Sequence, residues 1–238
     1  MKFIFKFFLF IYSFYSLSSL SKEKDYEVNN GYYLQLGVGY KTPKYMPLRY
    51  GSPTYRDGVF GRDLKQNDGF EKDLGIGYRF NNKFRISINY KNYYQPAHDY
   101  IFYNPNFIGG TYVDNPKLKV DAYSINIFRD FIFKNSNFSP YIGAGIGFAN
   151  THNPDFGSIV RANGSTLTSS FKAHNSGSLY KEIMAGINYR INKKNTVFIQ
   201  SAYSGVDDYV IMHSSGAERV QIQNPKTLTF LSGIRISF

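Results

Sequence analysis

The sequence predicts an all-β chain that closes into an eight-stranded antiparallel up-and-down transmembrane barrel, with short turns on one rim and long loops on the other. Three observations carry that expectation. Eight segments of strand length alternate apolar with small or polar residues, the two-residue period of a strand. Long and short connections join them in strict turn. The final segment places Phe230, Ile234, Ile236 and Phe238 on one face, and Thr227, Thr229, Gly233, Arg235 and Ser237 with Leu231 on the other.

The segments cover residues 31–40, 69–80, 83–95, 118–131, 139–149, 179–191, 196–205 and 225–238. Connections 41–68, 96–117, 150–178 and 206–224 are long and polar, whereas 81–82, 132–138 and 192–195 are short. In a membrane barrel the apolar set faces lipid. The first segment puts Tyr32, Leu34, Leu36, Val38 and Tyr40 outside against Tyr33, Gln35, Gly37 and Gly39 inside. The second and third put Leu74, Ile76, Tyr78, Phe80, Phe84, Ile86, Ile88 and Tyr90 outside, and Glu71, Asp73, Arg79, Arg85, Asn89 and Lys91 inside. The sixth repeats this with Ile183, Ala185, Ile187 and Tyr189 against Glu182, Gly186, Asn188 and Arg190.

Charges of both signs therefore converge on the lumen: Glu71, Asp73, Arg79, Arg85, Lys91, Glu182, Arg190 and Arg235. Eight strands enclose a space that side chains just fill, so these read as a salt-bridged plug, with a narrow ion path as the functional alternative. Arg129 breaks the pattern on the lipid face of the fourth segment, but near the short-turn rim, where it can snorkel. Lys72, Lys119 and Lys181 fall on the outer face near the other rim, within reach of anionic headgroups. Tyrosines 32, 40, 78, 90, 123, 189 and 203 lie near segment ends and read as interfacial girdles. In the fifth segment Gly143, Gly145 and Gly147 all face inward, clearing room for lumen partners such as Phe128 or Arg190. A phosphate loop would need a helix to follow, and the alternation continues as strand.

The amino terminus reads as a signal peptide over residues 1–21: Lys2 and Lys6 flank an apolar run from Phe3 to Tyr15, followed by Ser16, Ser18, Ser19 and Ser21. That run is shorter than the roughly 20 apolar residues of a spanning helix. Residues 22–30 are then a periplasmic extension and 31–238 the barrel. The chain is 42% hydrophobic with a mean hydropathy of −0.36, which excludes a bundle of transmembrane helices but not a barrel. It has no Cys, hence neither disulfides nor a lipid-anchoring thiol. Loss of Lys2 and Lys6 lowers the formal charge from +11 to +9. The basic residues are scattered without a nucleic-acid reader motif, so no nucleic acid is expected, and anionic lipopolysaccharide is the expected neighbour.

At Ser124 to Asp130, Pro140 to Phe148, Gly186 to Arg190 and Gly233 to Phe238 the chain resembles the small bacterial outer-membrane β-barrel family that includes alphaproteobacterial surface antigens, opacity-type adhesins and the OmpA-like transmembrane domain. The resemblance spans nearly the whole mature chain, and apart from the glycine segment it is a resemblance of pattern more than of fixed letters. It implies the outer membrane of a Gram-negative bacterium and variable surface loops. It further implies members that differ in function among adhesion, immune exposure and envelope integrity. The terminal Phe238 resembles the signal read by the outer-membrane barrel assembly machinery. A peptidoglycan-binding domain after the barrel is not expected.

The long loops hold the remaining functional signal. In the first, Lys44, Arg49 and Arg56 mix with Tyr50 and Tyr55, a composition suited to contact with a cell-surface or host glycan or protein, or equally to a basic loop lying over lipopolysaccharide. In the third, Asn163-Gly164 between alternating runs predicts a type I′ hairpin, projecting as an erect ribbon. His98, His152, His174 and His213 fall in loops outside every expected strand, without the spacing of a catalytic dyad or a metal site. No catalysis, metal or cofactor is therefore expected. The leading reading is a non-enzymatic surface protein whose barrel anchors its loops for adhesion, surface interaction or envelope integrity. A narrow pore for ions or small solutes, of the kind grouped with porins, is the alternative. A soluble lipocalin-like binder, which needs its apolar residues inside, is a third.

Overall fold

The computed structural model describes residues 30–45, 48–51, 68–80, 83–96, 100–103, 110–113, 117–133, 136–152, 156–160, 166–173, 177–207, 209–213, 219–222 and 225–238. The signal-peptide expectation for residues 1–21 and most of the 22–30 extension lie outside these residues. Eight strands form one closed barrel: β1 (Gly31–Tyr45), β2 (Gly69–Phe80), β3 (Phe84–Pro96), β4 (Lys117–Asp130), β5 (Phe138–His152), β6 (Ser178–Arg190), β7 (Asn195–Val206) and β8 (Lys226–Ser237). Each pairs antiparallel with its sequence neighbours, and β1 closes on β8 from Tyr33 opposite Ser237 to Tyr45 opposite Lys226. Closure satisfies the backbone groups of every wall strand within the sheet, the condition for extended chain to cross hydrocarbon.

The alternation of the sequence becomes the two surfaces of the wall. Outward residues are exposed and apolar, among them Ile76, Ile88, Ile125, Ile127, Ile146 and Ile183. Inward residues are buried and mostly polar, among them Gln35, Glu71, Asp73, Asn89, Asn126 and Gln200. Ile88 is 60% exposed while its neighbour Asn89 is 1% exposed, which reverses the ordering of a soluble protein and gives the surface of a membrane barrel. It also inverts the apolar cup of a lipocalin-like barrel.

The wall strands extend beyond the alternation at the long-loop rim: β1 continues from Tyr40 to Tyr45 and β5 from Ala149 to His152. In β1 the pairing with β8 shifts between Pro43 and Tyr45, a bulge that accommodates a proline in a ladder. Two glycines of β5 meet strict spatial demands. A Cβ at Gly147 would collide with the Tyr123 carbonyl oxygen, and one at Gly143 with the Phe128 ring. Asn126 and Glu182 lie nearest its other inward glycine, Gly145, Ser124 lies beside Gly147, and Arg190 falls past the stretch of β6 paired with β5, opposite Thr196.

The long loops also carry strands. Segments Leu48–Gly51, Arg219–Ile222, Tyr209–His213, Thr166–Ala173 and Phe156–Val160 join, in that spatial order, into a five-stranded antiparallel sheet built from the first, fourth and third loops. The second loop forms a hairpin of Tyr100–Tyr103 with Gly110–Val113, which lies beside Phe156–Val160. The third-loop hairpin therefore exists, with Thr166 opposite Val160, but it is one part of a shared sheet and not a separate ribbon. Its turn, including Asn163-Gly164, lies outside the described residues. His152 and His213 each end a strand, contrary to the expectation that every histidine lies outside strands, while His98 and His174 lie outside the described residues.

Two variants test the wall. Ile88→Arg places a charge on the apolar exterior and is expected to cost about 2–4 kcal/mol in urea unfolding from lipid vesicles. Gly147→Ala meets backbone and not a movable side chain, so the heat-modifiable folded band is expected to be lost on refolding.

Candidate functional site

Two features stand out above the wall itself, the polar interior and the loop sheet. The interior is built from inward positions of all eight strands, and its polar groups are tied mainly to one another. Near the long-loop rim, Lys41 of β1 reaches Glu71 of β2 at 2.8 Å and the Ser204 hydroxyl of β7 at 3.4 Å. Glu71 also accepts from Thr229 of β8 at 3.2 Å. The Lys41 ammonium sits 3.7 Å from the centre of the Tyr93 ring, so an aromatic face supplements its single carboxylate.

Lys91 of β3 pairs across the lumen with Glu182 of β6, two strands removed from its wall neighbours. Glu182 also accepts from Ser124 at 3.2 Å and from the Tyr180 hydroxyl at 3.3 Å. Asp73 has no cation in direct contact among the described residues. It accepts from Gln35 at 2.8 Å and Asn89 at 2.7 Å, and the Asn126 amide lies 3.0 Å from Asn89.

Near the short-turn rim, Arg85 holds Asp130 through Nε at 2.7 Å and Nη2 at 2.9 Å, the two-pronged geometry that suits a guanidinium to a carboxylate. Arg235 donates to Gln35 at 2.7 Å, to Asn188, and to the Tyr141 hydroxyl at 3.3 Å. The guanidiniums stack among rings. Arg85 lies 4.5 Å from the centroid of Phe128 and 5.0 Å from that of Tyr141, and Arg235 lies 4.0 Å from that of Phe198. Phe128 and Tyr141 themselves meet edge-on at 5.8 Å. Tyr141 donates to Gln200 at 3.0 Å, which ties β5 to β7 across the interior.

The structure thus gathers six of the eight expected lumen charges into buried positions: Glu71, Asp73, Arg85, Lys91, Glu182 and Arg235. Arg79 and Arg190 face inward at the strand ends and are only partly buried. Sequence reasoning missed Lys41, which polar loop-like neighbours and Pro43 disguise, although the inward parity of β1 continues through it. It also missed Asp130, which shares its face with Phe128 and Asn126 and carries that parity to the strand end. With both included, the buried charges among the described residues are Lys41, Arg85, Lys91 and Arg235 against Glu71, Asp73, Asp130 and Glu182, four of each sign.

On the outer wall, Arg129 lies against Phe84 and Phe131, 5.7 and 5.6 Å from their centroids. Lys72, Lys119 and Lys181 are exposed, and Lys181 meets Asp207 at 3.4 Å. Of the first-loop contact candidates, Lys44 belongs to β1, and Arg49 and Tyr50 lie in the edge strand Leu48–Gly51 of the loop sheet. Tyr55 and Arg56 lie outside the described residues. Phe238 follows β8 at the short-turn rim, where its amide donates to the Tyr32 carbonyl at 3.1 Å, and its ring is exposed.

An apolar exterior around a polar, internally bonded lumen defines a transmembrane β-barrel, and solved structures with this architecture are small outer-membrane β-barrels. Outer membrane protein OprG from Pseudomonas aeruginosa is similar over 90% of this chain and 97% of its own, with 14% identity and a TM-score of 0.60. Neisserial surface protein A aligns over 88% of this chain and 99% of its own at 17% identity and a TM-score of 0.49, and AlkL over 92% and 95% at 11% identity and a TM-score of 0.49. At these identities the likeness is one of fold, and OprG carries it. No family model matches the sequence, and no curated protein is significantly similar to it.

The cross-lumen pair makes a testable unit. Lys91→Met leaves the Glu182 carboxylate buried without its cation and is expected to destabilise by about 3–5 kcal/mol. Lys91→Met with Glu182→Leu is expected to recover most of that loss in equilibrium unfolding. A double variant as unstable as the single one would show that the two residues are not coupled.

Proposed function

We propose that this chain is a non-enzymatic outer-membrane surface protein of a Gram-negative cell, in which a plugged barrel anchors a structured extracellular sheet for contact with surface partners. The observation that carries this reading is the joining of three long loops into one sheet, on a barrel whose lumen holds the buried pairs Lys41–Glu71, Lys91–Glu182 and Arg85–Asp130. Loops that served only as connections would have no reason to pair with one another beyond the barrel rim. The short connections face the periplasm in this orientation, residues 1–21 act as the export signal, and Phe238 is the strand-end residue presented to the assembly machinery. Lipopolysaccharide is the expected neighbour of Lys72, Lys119 and Lys181. Lys44, Arg49, Tyr50, Tyr55 and Arg56 are the first-loop residues proposed to contact an anionic glycan or an acidic protein surface.

Planar-bilayer recording of the refolded chain separates this reading from the pore. The expected result is no unitary conductance, because Lys91 and Glu182 pair across the lumen from strands that are not neighbours, and Arg85 and Asp130 fill its wall nearer the short-turn rim. Reproducible steps that change on charge reversal at Arg85 or Arg190 would put the pore first. Binding to immobilised heparin, as a sulfated-glycan probe, tests the contact surface: Arg49→Ser with Arg56→Ser is expected to weaken retention roughly tenfold while leaving the heat-modifiable band unchanged.

A further inference from the structure

Charge is unevenly distributed along the lumen. At the short-turn end the inward positions hold Arg79 of β2, Arg85 of β3 and Arg235 of β8, and Asp130 is the single carboxylate among the described inward residues there. Asp130 is already engaged, by Arg85 through two hydrogen bonds and by the Asn188 amide at 3.1 Å. Arg235 is held by the neutral acceptors Gln35, Asn188 and Tyr141. Cations gathered in a space of low dielectric, without matching anions, attract one.

A second observation points to the same place. Two wholly buried donors, Nη1 of Arg85 and the hydroxyl of Tyr33, have no hydrogen-bond partner among the described residues. The Tyr33 phenol lies over Gly77, two positions from Arg79 on the same face, where any side chain would strike its ring. The Arg85 guanidinium is 5.8 Å from the centre of the Tyr33 ring, and Arg79 stands directly opposite Arg85 in the pairing of β2 with β3. Arg79 is only partly buried, so the cluster opens toward the rim.

We propose that this end of the lumen is an anion site. It takes a small free oxyanion, a carboxylate or phosphate, that enters past Arg79 and accepts from Arg79, Arg85 and the Tyr33 hydroxyl. An oxyanion presents several acceptor oxygens and so can bond two guanidinium forks and a phenol together, which a halide does less well. The function proposed above supplies only the direction of entry, from the periplasm.

The test uses the full chain refolded in an uncharged maltoside, so that only the added salt supplies an oxyanion. The midpoint of the heat-modifiable transition is followed as inorganic phosphate replaces chloride at constant ionic strength. The expected result is a saturable rise in the wild type. In both Arg79→Gln and Tyr33→Phe, half-saturation is expected to move at least roughly tenfold higher, with no change in Arg129→Gln, which alters an arginine on the outer wall. Tyr33→Phe keeps the ring and removes only the donor, so it separates binding from folding. Phosphate acting no differently from chloride, or either lumen variant saturating as the wild type does, would overturn the three-donor site. None of these readings depends on the loops or on conductance, so failure here is distinct from failure of the surface-protein reading.

Discussion

The interior of this barrel is held by the requirement that every buried charge be met by an opposite charge or by hydrogen-bonding groups. Eight strands leave a lumen too narrow for bulk water to screen charges, and a lone ammonium or carboxylate there would face a desolvation cost of several kcal/mol. The arrangement answers with four cations and four anions among the described residues, held both between neighbouring strands, as in Lys41–Glu71 and Arg85–Asp130, and across the lumen between strands that are not neighbours in the wall. Lys91 to Glu182, Thr229 to Glu71, Arg235 to Asn188 and Tyr141 to Gln200 act as struts across the cylinder. Backbone ladders fix the circumference and these struts fix the cross-section. Together they determine which side chains fit where, and hence the demand for glycine at positions 143 and 147.

How legible this was depends on the range of each interaction. Alternation is local, so the assignment of Leu74, Ile76 and Ile88 to lipid and of Glu71, Asp73 and Asn89 to the lumen could be read directly from the chain. Topology was legible because connection length alternates with strand direction. Partners across the lumen were not. Nothing in the sequence near Lys91 specifies Glu182, 91 residues away, because the match is set by the stagger of strands around the barrel and not by spacing along the chain. Lys41 was hidden by a different cause. Its side chain follows the strand period, but Thr42, Pro43 and Lys44 have the composition of a loop, and composition outweighed parity in the reading.

The loop sheet illustrates the same limit from the opposite side. The Asn163-Gly164 signal announces a hairpin because a two-residue turn is local chemistry. That the hairpin then pairs with residues of the fourth loop, Phe171 opposite His213, follows from three-dimensional proximity. The strands leaving β1, β5 and β7 arrive at the rim already extended, and the closed barrel holds them side by side. Each needs only a few further residues in the β region to find a partner. The barrel lowers the loop-closure cost of the sheet above it, so segments of four or five residues, too short to pair stably alone, can form one.

This gives the two ends of the molecule different characters. At the loop rim, Lys41 and Lys91 sit with Glu71, Asp73 and Glu182, and anions match or outnumber cations. At the turn rim Arg79, Arg85 and Arg235 face inward with Asp130, and Arg85 and Arg235 stack among Tyr33, Phe128, Tyr141 and Phe198. Aromatic faces soften the burial of a guanidinium but carry no net charge, so they cannot neutralise it. Arginine rather than lysine is suited to this end, because a planar, weakly hydrated cation tolerates stacking between rings while keeping donors at its edge. The excess positive charge lies where partly buried side chains meet solvent, the one part of the lumen where screening is at hand. A barrel can thus be sealed by neutral pairing through most of its length and still present a cationic mouth.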